Sequence, residues 1–184
     1  MKLFSSPKKS LGQNFLIDKN IIHKIVNVGK ISKNDTVLEI GPGYGNLTSA
    51  IKKNNPKKIF AIEKDKSLSI FLESIFKDFN NVKIINDDIL NVIKKVNLGQ
   101  KIIVFGNLPY NISTQILASL AMLKKWPPWF NILIFMFQKE VADRIIAKNN
   151  SKNYGRLSIL CNWRFEIKKH FVISKNCFLP KPKV

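Results

Sequence analysis

The stretch TVLEIGPGYGNLT, Thr36–Thr48, fixes the class of fold. Thr36–Ile40 is a short apolar run rich in β-branched residues, and it leads straight into three glycines at positions 41, 43 and 45. Glycine lets a strand turn sharply into a helix and lets backbone approach a ligand closely, which places this junction at the crevice where open α/β sheets bind small molecules. Asn46 stands where the dinucleotide pattern G-x-G-x-x-G needs its third glycine, so the turn is not a dinucleotide fingerprint.

Beyond this stretch, similar runs at Lys58–Glu63, Val82–Asn86, Ile102–Gly106 and Asn131–Phe137 alternate with segments of helical spacing. This rhythm predicts a doubly wound, mostly parallel α/β sheet. Leu157–Phe165 and His170–Ile173 read as a closing antiparallel pair, for seven strands in all. Before the first strand, apolar residues at Ile21, Ile22, Ile25 and Val26 predict a helix that Asp18 caps. Residues 1–19 form a basic arm, and residues 20–184 read as one domain, in keeping with a length of 184 residues.

Composition narrows the function classes. The net charge of +19 points to a polyanionic partner, nucleic acid first. No apolar run approaches membrane-spanning length and the N-terminus lacks a secretory pattern, so a soluble, cytoplasmic protein is expected. Cys161 and Cys177 sit in no metal or disulfide spacing, and His23 and His170 stand alone, so no metal centre is expected.

The strand ends carry the chemistry. Glu63, closing the second strand of the sheet, is placed to accept from both hydroxyls of a ribose. Asp88, just past the third, is placed to accept from an adenine amino group. A ribose clamp and an adenine acceptor without a phosphate-binding Lys/Ser suit S-adenosylmethionine better than a nucleoside triphosphate. The fourth strand ends in Asn107-Leu108-Pro109-Tyr110. An exocyclic amine such as adenine N6 is a poor nucleophile because its lone pair is delocalised into the ring. The Asn107 side-chain oxygen and the Leu108 carbonyl are two acceptors for its two N–H groups, Pro109 fixes the backbone, and Tyr110 stacks on the base. Phe178 is a candidate for the opposite face of the base.

These residues, together with KSLGQNFL (9–16), EKD (63–65), QKEV (138–141), YGRLS (154–158) and FLPKPKV (178–184), resemble the KsgA family of small-subunit ribosomal RNA adenine N6,N6-dimethyltransferases. The resemblance implies a class I methyltransferase fold, S-adenosylmethionine as donor, and dimethylation of two adjacent adenosines in a hairpin near the 3′ end of 16S RNA. It implies 16S RNA of an immature 30S subunit as partner, and a monomer is the default. By the same resemblance Gln13, Asn14 and Leu16 join Gly41, Gly43, Gly45, Glu63, Asp88 and Asn107 in the cofactor site, with the arm closing over it. The family carries a small helical domain after the Phe-x-Pro-x-Pro segment, where this chain stops, so a catalytic domain without it is expected.

Lys8, Lys9, Lys148, Lys152, Arg156, Lys181 and Lys183 are candidates for an RNA track. The rival readings are an Erm-type methyltransferase of large-subunit RNA, where Asn-Ile-Pro-Tyr is typical, and a non-catalytic assembly factor. A dehydrogenase lacks evident hydride-transfer residues.

Overall fold

The computed structural model describes residues 7–8, 11–95 and 101–182. Five strands form one parallel sheet: β2 (Thr36–Ile40), β3 (Lys58–Glu63), β4 (Val82–Asn86), β5 (Ile102–Asn107) and β6 (Phe130–Met136), in the order β4-β3-β2-β5-β6. Two further strands, β1 (Phe15–Leu16) and β7 (Phe178–Leu179), pair antiparallel with each other and stand apart from that sheet. Helices α1 (Lys19–Val28), α2 (Asn46–Lys52), α3 (Lys66–Phe76), α4 (Ile89–Lys95), α5 (Ser113–Ala121), α6 (Lys139–Ile145) and α7 (Arg156–Arg164) connect or follow the strands, and a 3-10 turn at Lys175–Cys177 leads into β7. No helix among the described residues is long and apolar enough to cross a membrane.

Side-chain alternation along the strands sorts the core into two layers. Val37, Ile59, Ile103 and Phe105 face one side and pack with Ile22, Ile25 and Val26 of α1 and Leu47 and Ile51 of α2. Leu38, Phe60, Ile62 and Val104 face the other and pack with Ile89 and Ile93 of α4 and Ile116 and Leu120 of α5. Both faces are covered, which is why these strands read as unbroken apolar runs. Asp18 caps α1, accepting from the Ile21 amide at 2.9 Å.

The expected seven-stranded sheet is corrected to five parallel strands plus the separate β1–β7 pair. The predicted strand over Leu157–Phe165 is helix α7, and residues 170–173 join no strand ladder among the described residues. Leu157, Ile159, Cys161 and Trp163 alternate as in a strand, yet the structure buries Ser158 and Cys161, with Leu157 packed beside Cys161, and leaves Ile159 54% and Trp163 64% exposed. The helical period wins because Ser158 fixes the first turn: its hydroxyl accepts from the Gly155 amide at 3.2 Å and donates to the Arg144 carbonyl at 2.6 Å. At the opposite end of α7 from Ser158, the Arg164 guanidinium lies 3.6 Å from the Trp163 ring centroid and 4.6 Å from that of Trp126. In the Trp126–Trp129 loop Trp129 is set edge-on against Phe130, while Trp126 remains 40% exposed.

Candidate active site

The crevice opens at the C-terminal edge of the sheet, where β2, β3 and β5 end and the glycine turn passes into α2. Gly41, Gly43 and Gly45 all adopt positive φ, at 67°, 58° and 76°. At Gly43 a Cβ would also lie 2.6 Å from the Phe15 ring, so a side chain there would push β1 off the turn. The glycine is thus what allows the arm to lie against the crevice wall.

Four carboxylates line this edge, Asp87 and Asp88 side by side and then Glu63 and Glu39 in strand order. Asp88, between β4 and α4, accepts from Lys64 Nζ at 2.8 Å and from the Leu90 amide at 2.9 Å. Its burial opposes ionisation, but those two partners outweigh it and hold the carboxyl below its usual range. Glu63 at the end of β3 accepts from the amides of Gly43 at 3.1 Å and Asp65 at 2.9 Å. Burial raises its pKa, while those amides pull the other way. Glu39 of β2, 1% exposed, lines the crevice and accepts from the Thr48 hydroxyl at 2.6 Å. Burial, opposed by Thr48 and reinforced by the Glu63 charge, raises its pKa to about 8.

A raised carboxyl pKa has a direct stability consequence. Glu39 is protonated in the folded chain up to about pH 8 but ionises near 4.5 when unfolded. Its contribution to stability is therefore complete below 4.5 and is lost as pH rises towards 8, at about 1.4 kcal/mol for each pH unit crossed between those limits. Glu39→Gln is expected to flatten this fall in denaturation midpoint between about pH 5 and 8; an unaltered slope would show that Glu39 is not the group responsible.

The N-terminal arm is tied down by contacts distant in sequence. Lys8 Nζ donates to Asp65 Oδ1 at 2.9 Å and Gln13 Nε2 to Asp65 Oδ2 at 3.1 Å, while Asp65 also caps α3 through the Ser67 amide. Burial opposes the Asp65 charge, and its donors, Lys8 first, keep the pKa below the ordinary value. Between these anchors and β1, Gln13 and Asn14 line the crevice, and Asn46 Nδ2 donates to the Leu16 carbonyl at 2.8 Å.

Asn107 closes β5 and faces the arm. Its Nδ2 donates to the Asn14 carbonyl at 2.7 Å, which turns Oδ1 away from that contact. Among the described residues neither Asn107 Oδ1 nor the Leu108 carbonyl receives a hydrogen bond, so two open acceptors belong to consecutive residues that line the crevice. The Leu108 side chain is 1% exposed and anchors this turn in the core. Pro109 and Tyr110 line the crevice, and burial raises the Tyr110 pKa. Phe178 stands apart from this group. Its ring is 6% exposed and packs in the α1–α2 layer with Leu16, outside the crevice lining, so in this conformation it is not available to stack on a base. The β1–β7 register explains why, since Phe178 is paired with Leu16 and shares its inward face.

Residues 4–184 match the family model described as ribosomal RNA adenine dimethylase. The chain belongs to that family. It is 52% identical over 182 residues to the ribosomal RNA small subunit methyltransferase A of Pelagibacter ubique, covering 99% of this chain and 68% of that protein. The same-named protein of Afipia carboxidovorans is 41% identical over 179 residues, covering 96% of this chain and 64% of the relative. Among solved structures, a dimethyladenosine transferase from Plasmodium falciparum superposes with a TM-score of 0.79 at 31% identity, over 92% of this chain and 59% of that one. The 23S rRNA methyltransferase ErmE follows at 0.71 and 25%, over 92% of this chain and 66% of its own. The chain thus spans about two thirds of the length of these relatives, and it has the class I methyltransferase fold.

The basic residues of this adenine dimethylase family member divide by geometry. Lys8 is committed to Asp65, whereas Lys148, Lys152, Arg156 and Lys181 are exposed. Lys9 and Lys183 lie outside the described residues. Alanine at the four exposed positions together is expected to weaken RNA binding and to lower the log–log salt slope by about 0.7–0.9 for each phosphate no longer neutralised. A slope equal to that of the parent chain would remove these residues from the interface. Glu39, Asp65 and Asn46 escape a reading of the sequence. A carboxylate inside a buried apolar strand, one residue before the strand ends at the glycine turn, was the available signal for Glu39, whereas Asp65 and Asn46 act through contacts 30 or more residues away.

Proposed function

We propose that this chain transfers methyl groups from S-adenosylmethionine to N6 of two adjacent adenosines in the 3′-terminal hairpin of 16S RNA, dimethylating each on an immature 30S subunit in the cytoplasm. Chief support comes from the Asn107 amide, whose Nδ2 donates to the Asn14 carbonyl while its Oδ1 and the carbonyl of the adjacent Leu108 have no donor among the described residues.

The residues fit the cofactor. Glycine at 41 leaves an open approach, since a Cβ there would meet nothing closer than the Asn107 carbonyl at 3.9 Å, and Glu63 and Asp88 are hydrogen-bond acceptors suited to ribose hydroxyls and an adenine amine. Gln13, Asn14 and Leu16 would close the site from the arm. When bound, S-adenosylmethionine supplies an electrophilic methyl on a sulfonium.

The chain's own part is to make the amine react. Asn107 Oδ1 and the Leu108 carbonyl accept from both N6–H bonds, draw the nitrogen out of conjugation and aim its lone pair. Tyr110 holds the base by its face, and the apolar surroundings exclude water. No strong general base is required, because N6 gains acidity as it is alkylated and the acceptors already bind its protons. The reading is tested by offering labelled S-adenosylmethionine with 30S subunits that lack these methyl groups, beside 50S subunits. Label confined to 30S supports it, and label on 50S alone would favour the Erm-type reading.

A further inference from the structure

We propose that Asp65 is a positioning residue for the transfer: through Lys8 and Gln13 it holds the N-terminal arm in the register at which the Asn14 carbonyl fixes the Asn107 amide. This rests on the reading above of Asn107 as an acceptor for the reacting amine.

Asp65 itself is outside the crevice lining, so its part is not contact with a ligand. It follows β3 and caps α3, a task that takes one acceptor: the Ser67 amide donates to Oδ1 at 3.0 Å. Serine or asparagine serves equally well at such a cap. A carboxylate offers more, and here the surplus goes to the arm. Lys8 Nζ stands 2.9 Å from both Oδ1 and Oδ2, and Gln13 Nε2 donates to Oδ2 at 3.1 Å. Gln13 also ties the arm to itself, since its Oε1 accepts from the Lys8 amide at 2.7 Å. The Asp65 side chain is 1% exposed and that of Lys8 48%, so the carboxylate is the fixed end of the clamp.

From there the arm crosses to the opposite wall of the crevice. Gly12 lies against the Asn107–Asn111 turn: a Cβ on it would stand 3.2 Å from Asn111 Oδ1 and 3.6 Å from the Tyr110 amide nitrogen. Asn14 Nδ2 donates to the Gly12 carbonyl at 3.2 Å, and the Asn14 carbonyl accepts from Asn107 Nδ2 at 2.7 Å. A carbonyl can only accept, so it selects the nitrogen end of the amide and leaves Oδ1 for a ligand. Asn14 thus lies between two anchors, Gln13 on Asp65 before it and Leu16 on Asn46 after it. Loss of the first frees the Asn14 carbonyl to leave Asn107 while β1 stays paired with β7.

Asp65→Ser keeps an acceptor for the Ser67 amide and removes both arm contacts. It is expected to lower kcat, measured at saturating S-adenosylmethionine and 30S subunits, by about 10–10²-fold, the scale of loss when a reacting group is misplaced by about an ångström. The same change made in Asn107→Ala is expected to cost no more than about twofold, because no amide remains to be placed. Lys8→Arg, which keeps the ion pair, is expected to transfer at close to the parental rate. Should Asp65→Ser fail to fold, Lys8→Met combined with Gln13→Leu opens the clamp from the arm, leaves α3 untouched and is expected to reproduce the loss. Losses that multiply fully in the double variant, or that fall on KM for the cofactor with kcat intact, would overturn the assignment and leave Asp65 a helix cap.

A second readout needs no turnover. In a chain labelled with ¹⁵N-asparagine, the Asn107 side-chain amide is identified by its disappearance in Asn107→Ala. Its exchange with water is expected to be at least about tenfold faster in Asp65→Ser, the equivalent of one hydrogen bond. An unchanged exchange rate would overturn the assignment as well. A parent chain that transfers no methyl while its Asn107 amide still responds to Asp65 would support the clamp and overturn the acceptor reading beneath it.

Discussion

Asn107→Ala is expected to lower the rate of methyl transfer by roughly 10²–10³-fold, the loss typical of one preorganised hydrogen-bonding group acting on the transition state. The same variant is expected to keep its fold, because Asn107 is half-buried at a strand end and its side-chain bond reaches only the arm, at 2.7 Å. Cofactor affinity is expected to change by no more than about tenfold, the equivalent of one hydrogen bond. Asn107→Asp keeps an acceptor but turns a second oxygen towards the Asn14 carbonyl, so it should recover only part of the rate. Single-turnover transfer to 30S subunits, with calorimetry of cofactor binding, distinguishes the effects. A variant that transfers at the parental rate would mean that Asn107 does not hold the reacting amine.

The second large effect falls on affinity. Glu63→Ala is expected to weaken S-adenosylmethionine binding by at least about 10²-fold, since hydrogen bonds to a charged acceptor are each worth about 1.5–3 kcal/mol and a ribose offers two hydroxyls. It also leaves the Gly43 and Asp65 amides without their shared acceptor, so thermal stability falls as well. Glu63→Gln keeps one acceptor oxygen but turns an amide donor towards one of those two N–H groups, so its stability is expected to fall part-way while its affinity stays low. Parental affinity in both variants would place the ribose elsewhere.

The parallel sheet was legible because its strands are buried on both faces and contain few polar residues. The glycine turn was legible because three positive-φ positions in five residues leave almost no other residue type. What escaped depends on contacts that no local pattern records. Strands β1 and β7 are two residues each, too short for any periodicity, and their pairing brings together residues more than 160 positions apart. That same pairing carries Phe178 into the core beside Leu16, against the expectation that it faces a base. Helix α7 was misread because Leu157, Ile159, Cys161 and Trp163 alternate like a strand, while the cap at Ser158 and the burial of Cys161 impose a helical period. At the crevice, Glu63, Asp88 and the Asn107–Tyr110 turn could be placed from strand ends alone. The partner that orients the Asn107 amide could not, because Asn14 lies 93 residues away.

Everything proposed for the reaction turns on the paired acceptors of Asn107 and Leu108 presenting N6 of small-subunit adenosines for repeated methylation. The decisive measurement is nucleoside mass spectrometry of 16S RNA, recovered after 30S subunits lacking these modifications are incubated with the chain and S-adenosylmethionine. N6,N6-dimethyladenosine is expected at two adjacent positions of the 3′-terminal hairpin, and is expected to be absent with Asn107→Ala. Methylation at another base position, or dimethyladenosine formed undiminished by Asn107→Ala, would contradict the mechanism.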